Sequence, residues 1–428
     1  MTEINKNLNI LGADNYRPMC YTIKSYDFLS YEEAFSLKYL SGYITAAIFG
    51  VLSWVLMQFG DRFSVLVDMV YPYVVRNSQG ILAQWTASID FCLWQLLLMA
   101  LAVILLTTVV LMIILKWNPI RWLGWVLAVV SFVFMMHTGL YGLNYYAGDL
   151  ADDMRLEVSQ YTLDELAEAT VYYRDKANAL ADQIPRDNAG NPRFQEFSKL
   201  NAQAGEGFHT LAYDRLYPIF AGSTLPVKEL GGADFFTSIG VTGVTVGLTG
   251  EAAVNPQTPD IMLPFVICRE MSQRMCIVSQ RDASFGAFLA ASVNTSEEFQ
   301  YSAYFMAFRW CYQALSGLSH SSAQAKAQQI SDGIGENLRR DMTSTDLFFA
   351  NNRNGFTAGI ADSLRKTYYK VSGDPTGFNP SNEICNLLVN WHIQKVVLPS
   401  VAVTEKHFDP YDEHQVDLSG IVNARPAQ

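Results

Sequence analysis

Three long, nearly uncharged apolar stretches occupy the first third of the chain, and none of that length follows them. A helix that crosses a bilayer needs about 20 mostly apolar residues, because lipid cannot satisfy a bare backbone. The first stretch runs from about 43 to 59 and stops at Gly60-Asp61-Arg62. The second covers about 91–115. The third covers about 122–146, with Trp122 and Tyr146 at its two ends, where interfacial aromatics belong. The first begins too far along the chain, and lacks the small-residue cleavage site, to be a removable signal peptide. The short turn between the second and third stretches, Lys116 to Arg121, carries two bases and no acid, so it reads as cytoplasmic. That predicts a multi-pass protein of the cell (inner or plasma) membrane, with residues 1–42 cytoplasmic. The loop from Gly60 to Asp90 and everything after Tyr146 would then be extracytoplasmic.

Beyond Tyr146 the pattern becomes that of a folded domain, 147–395, followed by a polar, proline-containing tail, 396–428. Asp149 to Ala181 repeats apolar residues at helical spacing (Leu163, Leu166, Ala167, Val171, Tyr172), with Thr162 placed to cap its inner part. Residues 184–192 are rich in turn formers and read as a surface loop. A helix is predicted over Phe194–Tyr213. From Phe235 to Asn255, β-branched residues and glycines predict one or two short strands with a turn. Leu263-Pro264-Phe265 then opens a helix to about Val278. Further helices are predicted over Asp282–Asn294, Glu298–Leu318, Ser321–Leu338, Asp346–Ser372 with a break, and Ser381–Ile393. The fold class is therefore a mainly α membrane protein, with three transmembrane helices and an α+β domain holding a small sheet.

Charge and cysteine content narrow the partners. Half of the 428 residues are hydrophobic and 17% charged, and the net charge is −11. Residues 1–146 carry equal numbers of acids and bases, so the whole excess sits on the later domain. Such a surface repels phosphates and excludes nucleic acid as a partner; the bilayer is the one partner the composition demands. No CxxC pair is present among the six cysteines. Cys268, Cys276, Cys311 and Cys385 fall in the domain, where an extracytoplasmic location permits disulfides and burial permits free thiols.

Several short segments occur in a telling order: Gly142 to Tyr145, Gly240 to Gly243, Thr249 to Asn255, Leu263 to Phe265, Glu270-Met271, Ala283 to Phe285 and Tyr301 to Tyr304. With the three spans they resemble an uncharacterised bacterial membrane family, domain of unknown function 3810, over most of the chain up to about His392. The resemblance implies a zincin-like domain whose key helix reads His-Glu-x-x-His, with a later carboxylate. There, two imidazoles one helical turn apart grip zinc and the glutamate between them polarises its water. This chain departs at those positions. It has Arg269 and Gln273 where the histidines stand, and Asp282 at the third-ligand position, leaving Glu270 alone of the catalytic set. A guanidinium never ligates at neutral pH and an amide oxygen is a poor zinc donor. No bound zinc is expected, although the family implies it. Glu270 is then expected to pair with Arg269 or Arg274, or with a backbone group.

Nothing else rebuilds a metal site. None of the six histidines forms an i, i+4 pair, and His407 and His414 lie in an acidic, solvated tail. The reading from sequence is a membrane-anchored pseudopeptidase that binds a peptide or partner protein without cleaving it. The groove would involve Val241, Thr242, Gly243, Glu251 and Asn255. Tyr301 or Tyr304 are candidates for its wall, though core packing suits them better. Two alternatives stand beside it: an active metallopeptidase with a non-standard site using Glu270, Asp282 and a cysteine, and a structural subunit of an envelope complex.

Overall fold

The structure, a computed structural model, describes residues 26–213, 217–353, 355–372 and 380–397. The first 25 residues, including Cys20, and the tail with His407 and His414 lie outside the described residues.

The chain opens with four long helices: α1 (Tyr26–Arg62), α2 (Ser64–Ala87), α3 (Leu93–Ile114) and α4 (Pro119–Leu140). Leu40–Arg62 of α1, all of α3 and all of α4 are long and apolar enough to cross a membrane. Helix α1 and helix α4 run side by side in the same direction. Gly42 and Gly124 let the backbones touch at one end, where a Cβ on Gly42 would lie 2.5 Å from the Gly124 carbonyl carbon. Tyr43 donates to the Ile120 carbonyl (2.7 Å), Phe49 meets Phe132, and Gly60 faces Tyr146 at the domain end. Small residues at the crossing are what brings helices together in lipid, where apolar burial alone gives no preference. Helix α3 buries no residue at all and stands apart from that pair. Asn118 caps α4, accepting from the Ile120 and Arg121 N–H groups, with Pro119 in the first turn.

Two sequence expectations change here. The third span ends at Leu140, and Gly142–Tyr146 form a 3₁₀ turn instead of continuing it. The segment from Gly60 to Asp90 is no loop: most of it is α2, which packs against the domain through Val67, Val75, Arg76, Gln79 and Ala83.

The domain is mostly helical, with α5 (Leu150–Asp153), α6 (Leu163–Ala181), α7 (Phe197–Gln203), α8 (Gly205–Ala212) and α9 (Ala233–Ser238) preceding its key helix α10 (Leu263–Arg274). Then come α11 (Gln280–Ser292), α12 (Glu297–Ser316), α13 (Ser321–Asp332), α14 (Glu336–Asn352), α15 (Gly355–Ser372) and α16 (Pro380–Trp391). The stretch predicted as one helix over Asp149–Ala181 breaks between α5 and α6. Helix α6 starts where Thr162 and Glu165 form a reciprocal capping box. The helix predicted over Phe194–Tyr213 is likewise two, and Gly333 to Gly335 separate α13 from α14. Three short strands, β1 (Lys228–Glu229), β2 (Gly243–Val246) and β3 (Glu251–Val254), form a sheet in the order β1-β3-β2. β1 is parallel to β3 and β2 antiparallel to it, with Val244 opposite Ala253.

Helix α12 is the centre of the core: Phe299, Tyr301, Phe305, Phe308, Cys311 and Leu315 are wholly buried between α6, α10, α11 and α16. Tyr173 of α6 crosses it to donate to the Leu388 carbonyl (2.8 Å). Cys268, Cys276, Cys311 and Cys385 are buried free thiols, with the Cys311 and Cys385 sulfurs 3.7 Å apart.

Candidate functional site

Helix α10 enters the fold behind Pro264 in its first turn and buries all but one of its twelve residues, Arg269 being the exception. A buried helix tolerates polar side chains only where each is partnered. Arg274 meets this through its two terminal nitrogens, which donate to the Ser223, Leu225 and Pro226 carbonyls, while its Nε and Ser272 Oγ are buried without a partner; burial lowers the Arg274 pKa to about 10. Glu270, 1% exposed, meets it with a closed set of bonds. Arg269 grips Oε1 through Nε (3.0 Å) and Nη2 (2.7 Å), and Thr245 of β2 donates to Oε2 (2.8 Å). Arg269 is itself steadied by the Thr242 hydroxyl (3.1 Å). Gly243 makes room for the carboxylate: a Cβ there would lie 2.5 Å from Oε1.

These groups line one groove of about 490 Å³, within the roughly 300–1,000 Å³ usual for ligand clefts. Its floor is Arg269, Glu270 and Gln273 of α10. One wall is the continuous segment from Gly240 to Gly247, and the opposite end is closed by His137, Tyr141 and Tyr145 at the domain end of α4. Helix α15 crosses beside it with Arg365 and Tyr368. The Tyr368 hydroxyl lies 3.2 Å from His137 Nε2 and 3.4 Å from the Tyr145 hydroxyl. The Tyr141 hydroxyl donates to the Gln273 carbonyl (2.8 Å), tying the end of the span to α10.

The wall is an open sheet edge, since β2 is terminal in the sheet. Asn255 N–H donates to the Thr242 carbonyl, and the Val254 carbonyl accepts from Leu230 on the other side of β3. Backbone groups alternate along a strand, so Thr242, Val244 and Val246 turn theirs to β3 while Gly243 and Thr245 turn theirs to the free edge.

The sequence-predicted positions therefore separate. Arg269, Glu270, Gln273, Val241, Thr242 and Gly243 share the groove. Asn255 lies behind it, where its amide donates to the Thr237 hydroxyl (2.8 Å) and the Val241 carbonyl (3.1 Å) and so fixes the approach to β2. Glu251 is buried on the far side of the sheet. There it pairs with Lys228 (2.7 Å) and accepts from the Leu93 and Trp94 N–H groups at the start of α3. Tyr301 is in the core against Asp341, and Tyr304 packs on Tyr172 and Phe288. Asp282 faces a different cavity, with Asp68, Asp149 and Asp153, and is held by Arg281 (2.8 Å) and the Leu150 N–H. Burial raises its pKa despite the Arg281 contact. After the turn at Cys276, at φ +71°, Val278 and Gln280 still line the groove, but Asp282, two residues into α11, faces the other cavity. Among the described residues, no three His, Cys, Asp or Glu side chains converge to hold a metal ion. Pattern reading missed His137, Tyr141 and Tyr145, whose only signal is aromatic placement at the end of a span, and Arg365 and Tyr368, which reach the groove only through the packing of α15.

The described residues form a helical domain joined to three helices long and apolar enough to cross a membrane, with the groove at the junction. The model of the family described as "Protein of unknown function (DUF3810)" matches residues 67–389, three-quarters of the chain, and the chain belongs to that family. No curated protein and no solved structure matches it.

Proposed function

We propose that the groove binds an extended peptide segment, as an added strand on β2, and does not cleave it. The observation that carries this reading is the Arg269–Glu270–Thr245 arrangement beside a free strand edge. In a zincin the glutamate of the metal helix needs a metal-bound water to polarise. Here that carboxylate is occupied on both oxygens by Arg269 and Thr245, and on the proposed correspondence Arg269 stands at the first imidazole's position. The outward N–H and C=O groups of Gly243 and Thr245 supply the main-chain pairing that strand addition uses. The positive charge of Lys116 and Arg121, with no acid between them at the α3–α4 junction, supports placing the domain on the extracytoplasmic side of a cell membrane.

The test is a peptide-library selection on the purified full chain. Selected peptides should be recovered intact, and N-methylation at alternate backbone positions of the best binder should weaken it at least tenfold (about 1.4 kcal/mol). Cleaved peptides, or binding indifferent to N-methylation, would overturn the reading.

A further inference from the structure

Helix α2 presents a face that none of the described residues covers. Its inward side is fixed to the domain. Arg76 donates to the Met275 and Pro218 carbonyls (3.2 Å each), Gln79 to the Gly247 carbonyl (2.7 Å), and Thr86 accepts from Lys228 (2.8 Å). Its outward side carries Leu66, Met69, Val70, Val74, Ile81 and Trp85, between 49% and 75% exposed, with the polar but uncharged Asn77 and Gln84 among them. The helix has two charged residues, and both turn to the domain: Arg76 as above, and Asp68 through the Gly148 N–H (2.8 Å). An apolar row of this length without a charge is far from what a water-facing helix shows.

Connectivity says what covers it. One residue, Phe63, separates α2 from the end of α1, and five separate it from the start of α3. Both ends of α2 are thus anchored where membrane-spanning helices leave the bilayer on the domain side. Twenty-four residues give α2 a contour of about 36 Å. At the other membrane face, α3 and α4 are joined by only Leu115 to Asn118. The two spans therefore start together and separate toward the domain by up to the length of α2, with α2 along the open side. The surface of α3 is large and branched all round (Leu97, Leu98, Ile104, Leu106, Ile113), unlike the Gly42–Gly124 contact that joins α1 to α4. Bulky apolar side chains suit acyl chains, while small residues suit another helix.

We infer that α2 is an in-plane helix, seated with its outward face in the headgroup–acyl boundary of the bilayer, and that lipid fills the space between α3 and α4. This places the Tyr141–Tyr145 end of the groove at headgroup depth. The inference is independent of what the groove binds.

Nitroxide labels at L66C, V70C and V74C in the full chain, reconstituted in phosphatidylcholine vesicles, test it by power saturation with oxygen and a nickel chelate. I104C in α3 and N188C on the domain surface set the lipid and water limits. Wild-type chain carried through the same labelling corrects for native cysteines. The expected result is high oxygen and low nickel accessibility at all three positions, with a depth between the two limits. Nickel accessibility equal to that at Asn188 would overturn the inference, as would shielding from both reagents, which would mean a protein covers the face.

Discussion

Lys228 and Glu251 join the domain to α3, and removing either should show how strongly. Glu251 has a fully buried side chain and Lys228 one 11% exposed, with 2.7 Å between the charges. The carboxylate also receives the Leu93 (2.8 Å) and Trp94 (2.9 Å) N–H groups at the positive end of α3, and Lys228 donates to the Thr86 and Phe91 carbonyls. Breaking a buried pair costs about 3–5 kcal/mol, because the remaining charge is left without its partner. E251Q leaves Lys228 with two carbonyls, so the low end applies, about 3 kcal/mol. K228M leaves Glu251 its helix N-terminus and should cost about 2 kcal/mol. The double variant removes both charges and should lose about 3–4 kcal/mol, a coupling of about 1–2 kcal/mol in the cycle. Chemical unfolding of the four proteins in one detergent at pH 7 measures this. Strict additivity, with coupling under about 0.5 kcal/mol, would refute the argument.

The sign of the pH dependence follows from the same contacts. Burial opposes ionisation of Glu251, but the Lys228, Leu93 and Trp94 bonds outweigh it and hold its pKa below the ordinary 4.5. Its contribution is present above pH 4.5 and lost as pH falls through the lowered value, so the E251Q deficit should shrink on acidification.

Asp153 behaves oppositely: burial first, then the nearby Asp68 charge, raise its pKa from 3.8 to about 6. The penalty for its ionisation therefore develops between pH 3.8 and 6 and is complete above it, so D153N should raise the melting temperature at pH 7 and leave it unchanged at pH 3.5; equal effects at both would contradict this. G243A, which drives a Cβ into the Glu270 carboxylate, should cost about 1–3 kcal/mol in the same unfolding assay, and a neutral result would mean that the Arg269–Glu270 contact is loose. Y173F should cost about 1–2 kcal/mol by removing the buried hydrogen bond to the Leu388 carbonyl, whereas a cost below about 0.3 kcal/mol would mean that this bond adds nothing to stability.

The spans, the core helix α12 and the capping box at Thr162 were legible because each follows from a local rule: apolar length, helical period, or a Thr-x-x-Glu spacing. Helix α2 was not, since apolar residues lie on both its faces and Pro72 and Gly80 sit inside it, so the contrast that marks an amphipathic helix is missing. Strand β1 is two residues long, both charged, and exists only because β3 offers an edge. At the site, Arg269, Glu270 and Gln273 were brought to one groove by a single helix, which spacing can read. The separation of Asp282 depends on the turn at Cys276, and that of Glu251 on its tie to α3; both are tertiary events with no local signature.

The most direct test of the proposed function, in which the groove's glutamate is held by Arg269 and binds no metal, is elemental analysis of the purified full chain after dialysis against zinc-containing buffer. The account predicts well under one equivalent of zinc, unchanged in E270Q. One tightly held equivalent, lost in E270Q, would contradict it.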